Sequence, residues 1–220
     1  TGASTPPEDA IARLRSGRAL AKGVGMAICP ELVLFARYPV PGQCKTRLIP
    51  ALGPQGAAAL HRHLAERTVG VLRRAGCPVT IAYTGAEEAA FRDWLGPDLA
   101  YEKQAEGDLT ARLLPFAARA PVVFFGADTP DLAPAHVAAA VEALSSHRVA
   151  IGPAEDGGYY LIGMREPLPE LLTDMPWSTA DVLPETLRRL EQMEIAPAIL
   201  ATLADCDRPE DLARWPELAG

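Results

Sequence analysis

The sequence predicts an α/β fold: a mainly parallel sheet with helices on both faces and an antiparallel hairpin inserted in its C-terminal half. Three observations predict it. The apolar runs at 32–36 and 122–126 have the length and composition of strands buried on both faces. Strand-like and helix-like stretches alternate through most of the chain, the pattern of βαβ units. Asp156-Gly157-Gly158 is a turn signal between two further apolar runs, 149–152 and 159–163. A chain of 220 residues suits one sizeable α/β domain. That domain is read as residues 31–220, with residues 1–30 an N-terminal extension.

In order, Thr5-Pro6-Pro7-Glu8 reads as a helix start, with Thr5 as N-cap, Pro6 in the first turn and Glu8 closing a capping box. Its weak apolar stripe runs to about Lys22, and Gly23 and Gly25 end it. This helix is left to pack on the domain or against a second copy, as in a homodimer. After the strand at 32–36, Pro39, Pro41 and Gly42 open a loop. The helix predicted over 54–75 carries Ala57, Leu60, Leu64, Thr68, Val71 and Leu72 on one face, and Gly76 stops it. There follow a strand at 79–84, a short helix at 87–95, a strand at 99–103 and a helix at 109–119. The strand at 122–126 leads through Ala127-Asp128-Thr129-Pro130-Asp131 to a helix at 134–145. After the hairpin come a helical turn at 167–173, a loop at Trp177-Ser178-Thr179, a helix at 180–193 and a last strand at 199–203. A short helix opened by Pro209 ends the chain. No internal repeat and no linker divides it.

The net charge of −7 argues against a nucleic-acid or anionic-membrane partner, both of which favour basic patches. No run reaches the ~18 apolar residues of a membrane span. The four cysteines are scattered without a CxxC, which reads as reduced cytosolic thiols and a cytoplasmic protein. Cys44 lies beside Lys45, so it is either a thiol of lowered pKa or a plain loop cysteine.

In open α/β sheets the ligand sits outside the carboxyl ends of the strands. The first strand ends in a glycine-containing loop with Arg37, Lys45 and Arg47, a combination that suits phosphate although it is neither a Walker A nor a GxGxxG sequence. The strand at 122–126 ends at Asp128, and the last strand ends at Asp205 and Asp207. Paired carboxylates suit Mg²⁺ or Mn²⁺, whose remaining ligands are commonly substrate phosphates. Asp128 and Asp207 are therefore the candidate metal ligands. A rim carboxylate contributes little to a core, so losing Asp128 is expected to leave the fold intact and to relieve charge crowding. Asp156-Gly157-Gly158-Tyr159 is either a tight turn or a seat for a hydroxylated substrate, and Trp177-Ser178 is either a helix cap with a buried indole or a wall of an acceptor site.

FARYPVPGQCKTRL, GADTP, GPAEDGGYYLIG, WSTADVL and DCDRPEDL, in this order, resemble a bacterial family of glycosyltransferase A–like proteins over about residues 31–213. Its members are labelled nucleotide-diphospho-sugar transferases or arsenosugar-biosynthesis-type glycosyltransferases. The resemblance implies a three-layer α/β/α sandwich. Lys45-Thr46-Arg47-Leu48 looks like the phosphate loop of phospholactate guanylyltransferases. Gln104 to Gly107 looks like the segment that reads the base in sugar-phosphate nucleotidyltransferases. Asp128 matches the metal Asp after the central strand, and Asp207 the second metal Asp of the sugar-acid cytidylyltransferase motif. Ala36, Arg37, Gly42, Lys45, Arg47, Gln104 and Gly107 are thereby candidate nucleotide-binding residues, with Asp128, Lys45 and Asp156 the candidate catalytic ones. Asp156, Gly157, Gly158, Tyr159, Trp177 and Ser178 are the candidate acceptor or sugar site. Two positions depart from the family pattern: the acids after the strand are spaced DxxD (Asp128, Asp131) instead of DxD, and Thr110 stands where a glycine is usual. The implied function is metal-dependent glycosyl transfer from a nucleotide sugar to a small-molecule acceptor. The alternatives are nucleotidyl transfer to a phosphorylated or acidic acceptor with release of pyrophosphate, and a non-catalytic nucleotide-binding module.

Overall fold

A computed structural model describes residues 28–218. Seven strands form one sheet: β1 (Glu31–Arg37), β2 (Val79–Thr84), β3 (Ala100–Lys103), β4 (Val122–Phe125), β5 (Val149–Pro153), β6 (Tyr159–Met164) and β7 (Ala198–Ile199). The connecting helices are α1 (Ile49–Leu72), α2 (Glu88–Leu95), α3 (Leu109–Ala117), α4 (Pro134–Leu144) and α5 (Val182–Gln192). The sheet order is β3-β2-β1-β4-β6-β5-β7. β6 alone is antiparallel to its neighbours β4 and β5, and every other pairing is parallel.

The pleat sorts alternate side chains into two core layers. Leu32, Leu34 and Ala36 of β1 and Val123 and Phe125 of β4 face α1, α2 and α4. Val33 of β1 and Val122 and Phe124 of β4 face α3 and α5, where Leu113, Phe116, Leu183 and Leu187 close the layer. Strands covered on both faces have to be apolar throughout, which is why β4 is buried at all four positions. A third, smaller cluster packs Leu48 and the start of α1 against Cys206, Leu212 and Trp215. It clamps the loop after β1 to the chain after β7.

The expected elements are present with three adjustments. The helix expected from residue 54 is preceded by an extra turn, and Gly53 (φ 68°, ψ 169°) kinks the chain between them. Ala57, Leu60, Leu64, Thr68, Val71 and Leu72 are all buried, and Gly76 takes up the left-handed conformation that ends the segment. The last strand is Ala198–Ile199 only, not 199–203. The chain still follows β5, since the N–H groups of Leu200 and Leu203 donate to the carbonyls of Ile151 and Pro153 at 2.8 and 3.1 Å. The closing helix is a 3₁₀ segment, Pro209–Arg214. The helix expected after Thr5 lies outside the described residues. The cysteines, scattered in sequence, are not all scattered in space: the Sγ atoms of Cys29 and Cys77 are 2.6 Å apart.

Candidate active site

β1, β4 and β5 are parallel, so their carboxyl ends lie on one rim, and the third cluster brings residues 204–207 to it. Lys45 is the hub. It has left-handed backbone (φ 43°), and its side chain turns inward with 3% of its surface exposed. Nζ donates to the Cys206 carbonyl at 2.6 Å and pairs with Asp128 Oδ1 at 2.6 Å, with Asp207 Oδ1 at 4.0 Å. Arg47 closes the group from outside, its Nη1 2.6 Å from Asp207 Oδ2. Burial by itself would push the Lys45 amine down. The Asp128 carboxylate, with Asp207 behind it, outweighs that and holds the amine above the usual lysine range. Surrounding protein likewise pulls the Asp128 carboxyl upward, and the Lys45 ammonium overcomes it and holds the carboxyl low. The Asp128 side chain nevertheless keeps 51% of its surface open to the cavity in front of it.

This corrects two expectations. Lys45 is not a free loop cation waiting for phosphate; it is consumed by the carboxylates. Asp128 does not stand in crowded negative charge, because an ammonium lies against it. Beneath this group, His61 Nε2 bonds the Arg37 carbonyl at 2.9 Å, and burial holds its pKa below the usual value. Burial also raises the Cys44 thiol despite Lys45 and Arg37 nearby, so the plain-cysteine reading holds.

In front lies a cavity of about 620 Å³. Arg47, Asp128 and Asp207 line one end. Asp156, Gly158, Tyr159, Trp177 and Ser178 line the other side, so the candidate metal and acceptor residues share one space. Asp156 Oδ1 accepts the Gly158 N–H at 2.9 Å, which turns the carboxylate back over its own turn. Gly157 does not line the cavity. Its φ is 93°, its carbonyl accepts the Leu183 N–H at 2.9 Å, and a Cβ there would lie 2.5 Å from the Ala180 carbonyl oxygen. It is the point at which the hairpin turn packs on the loop before α5. Tyr159 and Trp177 meet edge to face with centroids 6.5 Å apart. The Tyr159 hydroxyl is buried beside Thr186, whose own hydroxyl donates to the Val182 carbonyl, and burial raises its pKa.

The remaining nucleotide candidates do not line this cavity. Ala36 is buried in β1, paired in register with Tyr83. Arg37, the last residue of β1, and Gly42, on the loop after it, are exposed, and Arg37 makes no ion pair among the described residues. Gln104 follows β3, with Nε2 donating to the Ala82 carbonyl at 2.7 Å. Gly107 (φ 114°) accepts from Arg112 Nε. Of these, Gln104 lies on the β2–β3 side of the rim, bonded to Ala82 and Tyr83 of β2.

Three residues of the site carried little signal in sequence. Asp205 was visible only as a strand end. Its Oδ1 is buried without a donor, and burial, then the adjoining Asp156 carboxylate, pushes its pKa up to about 7. A proton retained on Asp205 satisfies both observations. Thr110, visible as a departure from a family glycine, bridges two segments: its Oγ1 donates to the Leu172 carbonyl at 2.6 Å and accepts from Trp177 Nε1 at 2.8 Å. Arg208 lines the cavity with its side chain in no ion pair among the described residues. Asp131, the second acid of the DxxD spacing, points elsewhere and accepts from Trp215 Nε1 at 3.1 Å.

The described residues contain no cluster of three or more His, Cys, Asp or Glu side chains arranged for a metal. Asp128 and Asp207 are the two carboxylates of the site that could hold Mg²⁺ or Mn²⁺, ions that take one or two carboxylates together with substrate phosphates.

The family described as "Uncharacterized protein conserved in bacteria (DUF2064)" matches residues 68–179. A solved structure of an inferred nucleotide-diphospho-sugar transferase from Desulfovibrio desulfuricans G20 is 32% identical, with 81% of this chain and 82% of that one covered at a TM-score of 0.76. Rv0371c from Mycobacterium tuberculosis H37Rv, solved as a complex with manganese, is 20% identical over 85% of this chain and 97% of its own, with a TM-score of 0.52. A nucleotidyl transferase from Methanothermobacter thermautotroptrophicus is 16% identical over 86% and 96%, with a TM-score of 0.54. At those last two identities the likeness is one of fold. No curated protein matches the chain.

Proposed function

This chain belongs to the DUF2064 family of bacterial proteins, and we propose that it is a metal-dependent glycosyltransferase that moves a sugar from a nucleotide-sugar donor to a small-molecule acceptor. The observation that carries the reading is the convergence of Asp128 and Asp207 on a single positive charge at the end of a cavity large enough for a donor and an acceptor. The likeness to the Desulfovibrio protein supports the sugar-transfer class.

Asp128 and Asp207 would hold Mg²⁺ or Mn²⁺, which neutralises charge on a departing nucleoside diphosphate. Lys45 acts as a positioning residue that keeps the two carboxylates apart and aligned. Arg47, whose side chain is 59% exposed, can turn from Asp207 to a phosphate oxygen. At the opposite side Asp156 accepts the hydrogen bond of the acceptor hydroxyl, and the faces of Tyr159 and Trp177 offer a platform for a sugar ring. Gln104 and Gly107 lie where the sheet rim continues toward β3, the side left for the nucleoside. Residues 31–220 form the catalytic domain and residues 1–30 an extension that carries none of this chemistry. No described helix is long and apolar enough to cross a membrane.

One observation favours nucleotidyl transfer as the second reading. Arg47 and Arg208 stand at the same end of the cavity as Asp207, and two cations there suit a triphosphate. The products separate the readings. Sugar transfer yields nucleoside diphosphate and no pyrophosphate, in a reaction lost on adding a chelator and in Asp128→Asn. Pyrophosphate released in step with product from a nucleoside triphosphate would assign the second.

A further inference from the structure

We propose that the acceptor carries an apolar group, which it seats in a side pocket opening off the main cavity between Leu109, Tyr159 and Trp177. The proposal rests on the transferase reading above. The side pocket has a volume of about 160 Å³ and reaches down between Phe35, Leu113, Phe124, Leu161 and Ile162. Leu109, Tyr159 and Trp177 line both spaces, so the pocket is an annex of the cavity and not a separate void in the core.

Two features show that the annex is kept open. Leu109 is 36% exposed, the exposed large hydrophobic among the described residues, and it stands at the junction. Solvent-facing leucines are tolerable singly, but one beside an apolar opening adds contact area for a ligand. Gly126 lines the annex on the β4 side, and a Cβ built there meets no atom within 4 Å. Gly126 is exposed, so this open space belongs to the mouth of the annex and leaves room for a ligand or for an added side chain. A dry apolar cavity of about 150 Å³ accepts a ring the size of benzene.

Of the reactants, the acceptor is the one that fits. A nucleobase presents polar edges, a sugar presents hydroxyls, and phosphates present charge. The annex walls are carbon, and burying such groups there without partners is costly. The acceptor needs one polar feature, the hydroxyl that meets Asp156, and its remainder is free to be aliphatic or aromatic.

The test uses the full chain and straight-chain alcohols from ethanol to hexanol, followed by the indole N–H resonance of Trp177. Affinity is expected to rise roughly fourfold per added methylene until the annex is full. In Gly126→Leu, the dependence on chain length should vanish while the melting temperature stays close to that of the parent. Should that variant fail to fold, Leu109→Ser removes part of the wall from an exposed position and should weaken hexanol several-fold more than ethanol. A flat series in the parent, or an equally steep one in folded Gly126→Leu, overturns the proposal. Competition between hexanol and a nucleoside diphosphate overturns it also, since the annex would then hold the base. Thermal stabilisation by nucleotide sugars with Mn²⁺ is recorded on the same samples. A flat alcohol series with that stabilisation intact defeats the apolar acceptor alone. A graded series with no nucleotide response defeats the transferase reading, and the acceptor assignment with it.

Discussion

The two walls of the cavity are held by different physics. The charged wall, Lys45, Asp128, Asp207 and Arg47, is assembled from side chains at strand ends and is fixed by ion pairs and one carbonyl. The carbon wall, Tyr159 and Trp177, is fixed by a backbone contact, a glycine pressed on the next loop, and by a threonine hydroxyl that joins a carbonyl to the indole. The first is electrostatically closed on itself yet rearrangeable, because a ligand that supplies a cation can take over the role of the ammonium. The second holds its turn by main chain and its indole by the Thr110 hydroxyl. A transferase with this layout would exchange charge at one wall and recognise shape at the other.

The largest effect is expected from breaking the carbon wall at its backbone contact. Gly157→Ala combines a left-handed φ of 93° with a Cβ 2.5 Å from the Ala180 oxygen. The obstacle is main chain, so no side chain can step aside. A loss of about 3 kcal/mol is expected from overpacking plus the φ penalty. Chemical denaturation measures it, and a loss below about 1 kcal/mol would show that the loop at 177–180 is loose.

The charged wall should yield next. Asp128→Asn leaves the Lys45 ammonium, 3% exposed, facing a neutral amide. Removing one partner of a buried pair costs about 3–5 kcal/mol, and an exposed pair contributes about 0–1. With the Asp128 side chain half open, about 2 kcal/mol is expected without metal. Stability equal to the parent would return Asp128 to the crowded-carboxylate picture drawn from sequence. The companion Lys45→Met should instead tighten Mn²⁺ in the absence of nucleotide, because the competing ammonium is gone.

The difference between the walls also explains what could be read in advance. Acids directly after apolar runs are visible, since a strand that is hydrophobic throughout must end where polarity resumes; Asp128 and Asp207 were legible on that ground. Alternation of elements gave the sheet and its layers, and the Asp156-Gly157-Gly158 turn gave the antiparallel β6. What could not be read was reach. Lys45 looks like a surface cation until the C-terminal segment folds over it, 161 residues away along the chain. Thr110 and Trp177 are 67 residues apart. Asp205 and Asp207, two apart on an extended segment, face the same cavity, but the sequence does not say that Asp205 meets Asp156 there, far back along the chain. β7 was overextended for a related reason: residues 200–203 follow β5 with hydrogen bonds too widely spaced to make a continuous ladder.

A smaller effect on the carbon wall comes from Thr110→Val. The isostere keeps volume and removes the hydroxyl that joins the Leu172 carbonyl to the Trp177 indole. Two polar groups lose a partner, and the half-buried site lets water replace part of it, so about 1.5 kcal/mol is expected. The informative readout is Trp177: its indole N–H resonance should broaden or shift, and hexanol binding should weaken more than nucleotide binding. An unchanged indole signal would mean that the Tyr159 contact alone orients the ring.

The smallest effect is a slope in pH. Asp205 is pushed up to about 7 by burial and by Asp156, against about 3.9 in an unfolded chain. Between those values the folded protein binds this proton more tightly than the unfolded chain does, so the contribution of Asp205 falls as pH rises from about 4 to about 7 and then levels off, while buried His61, whose pKa is held low, contributes in the opposite sense up to about 6.5. Asp128 works in a separate window: its carboxyl is held low, and its contribution is lost only as pH drops below the ordinary carboxylate range. Asp205 is only partly buried and its neighbour Asp156 is exposed to the cavity, so solvent screens their repulsion and about 1 kcal/mol across the window is expected. The experiment is denaturation at fixed ionic strength with chelator present, comparing the parent with Asp205→Asn. The variant cannot take up the proton, so the parent's advantage over it should shrink from pH 4 to 7, and the contribution of His61, common to both, cancels in the difference. A difference between parent and variant that stays constant over this interval would mean that Asp205 remains ionised in the folded protein, and the charged wall would then extend from Asp207 through Asp205.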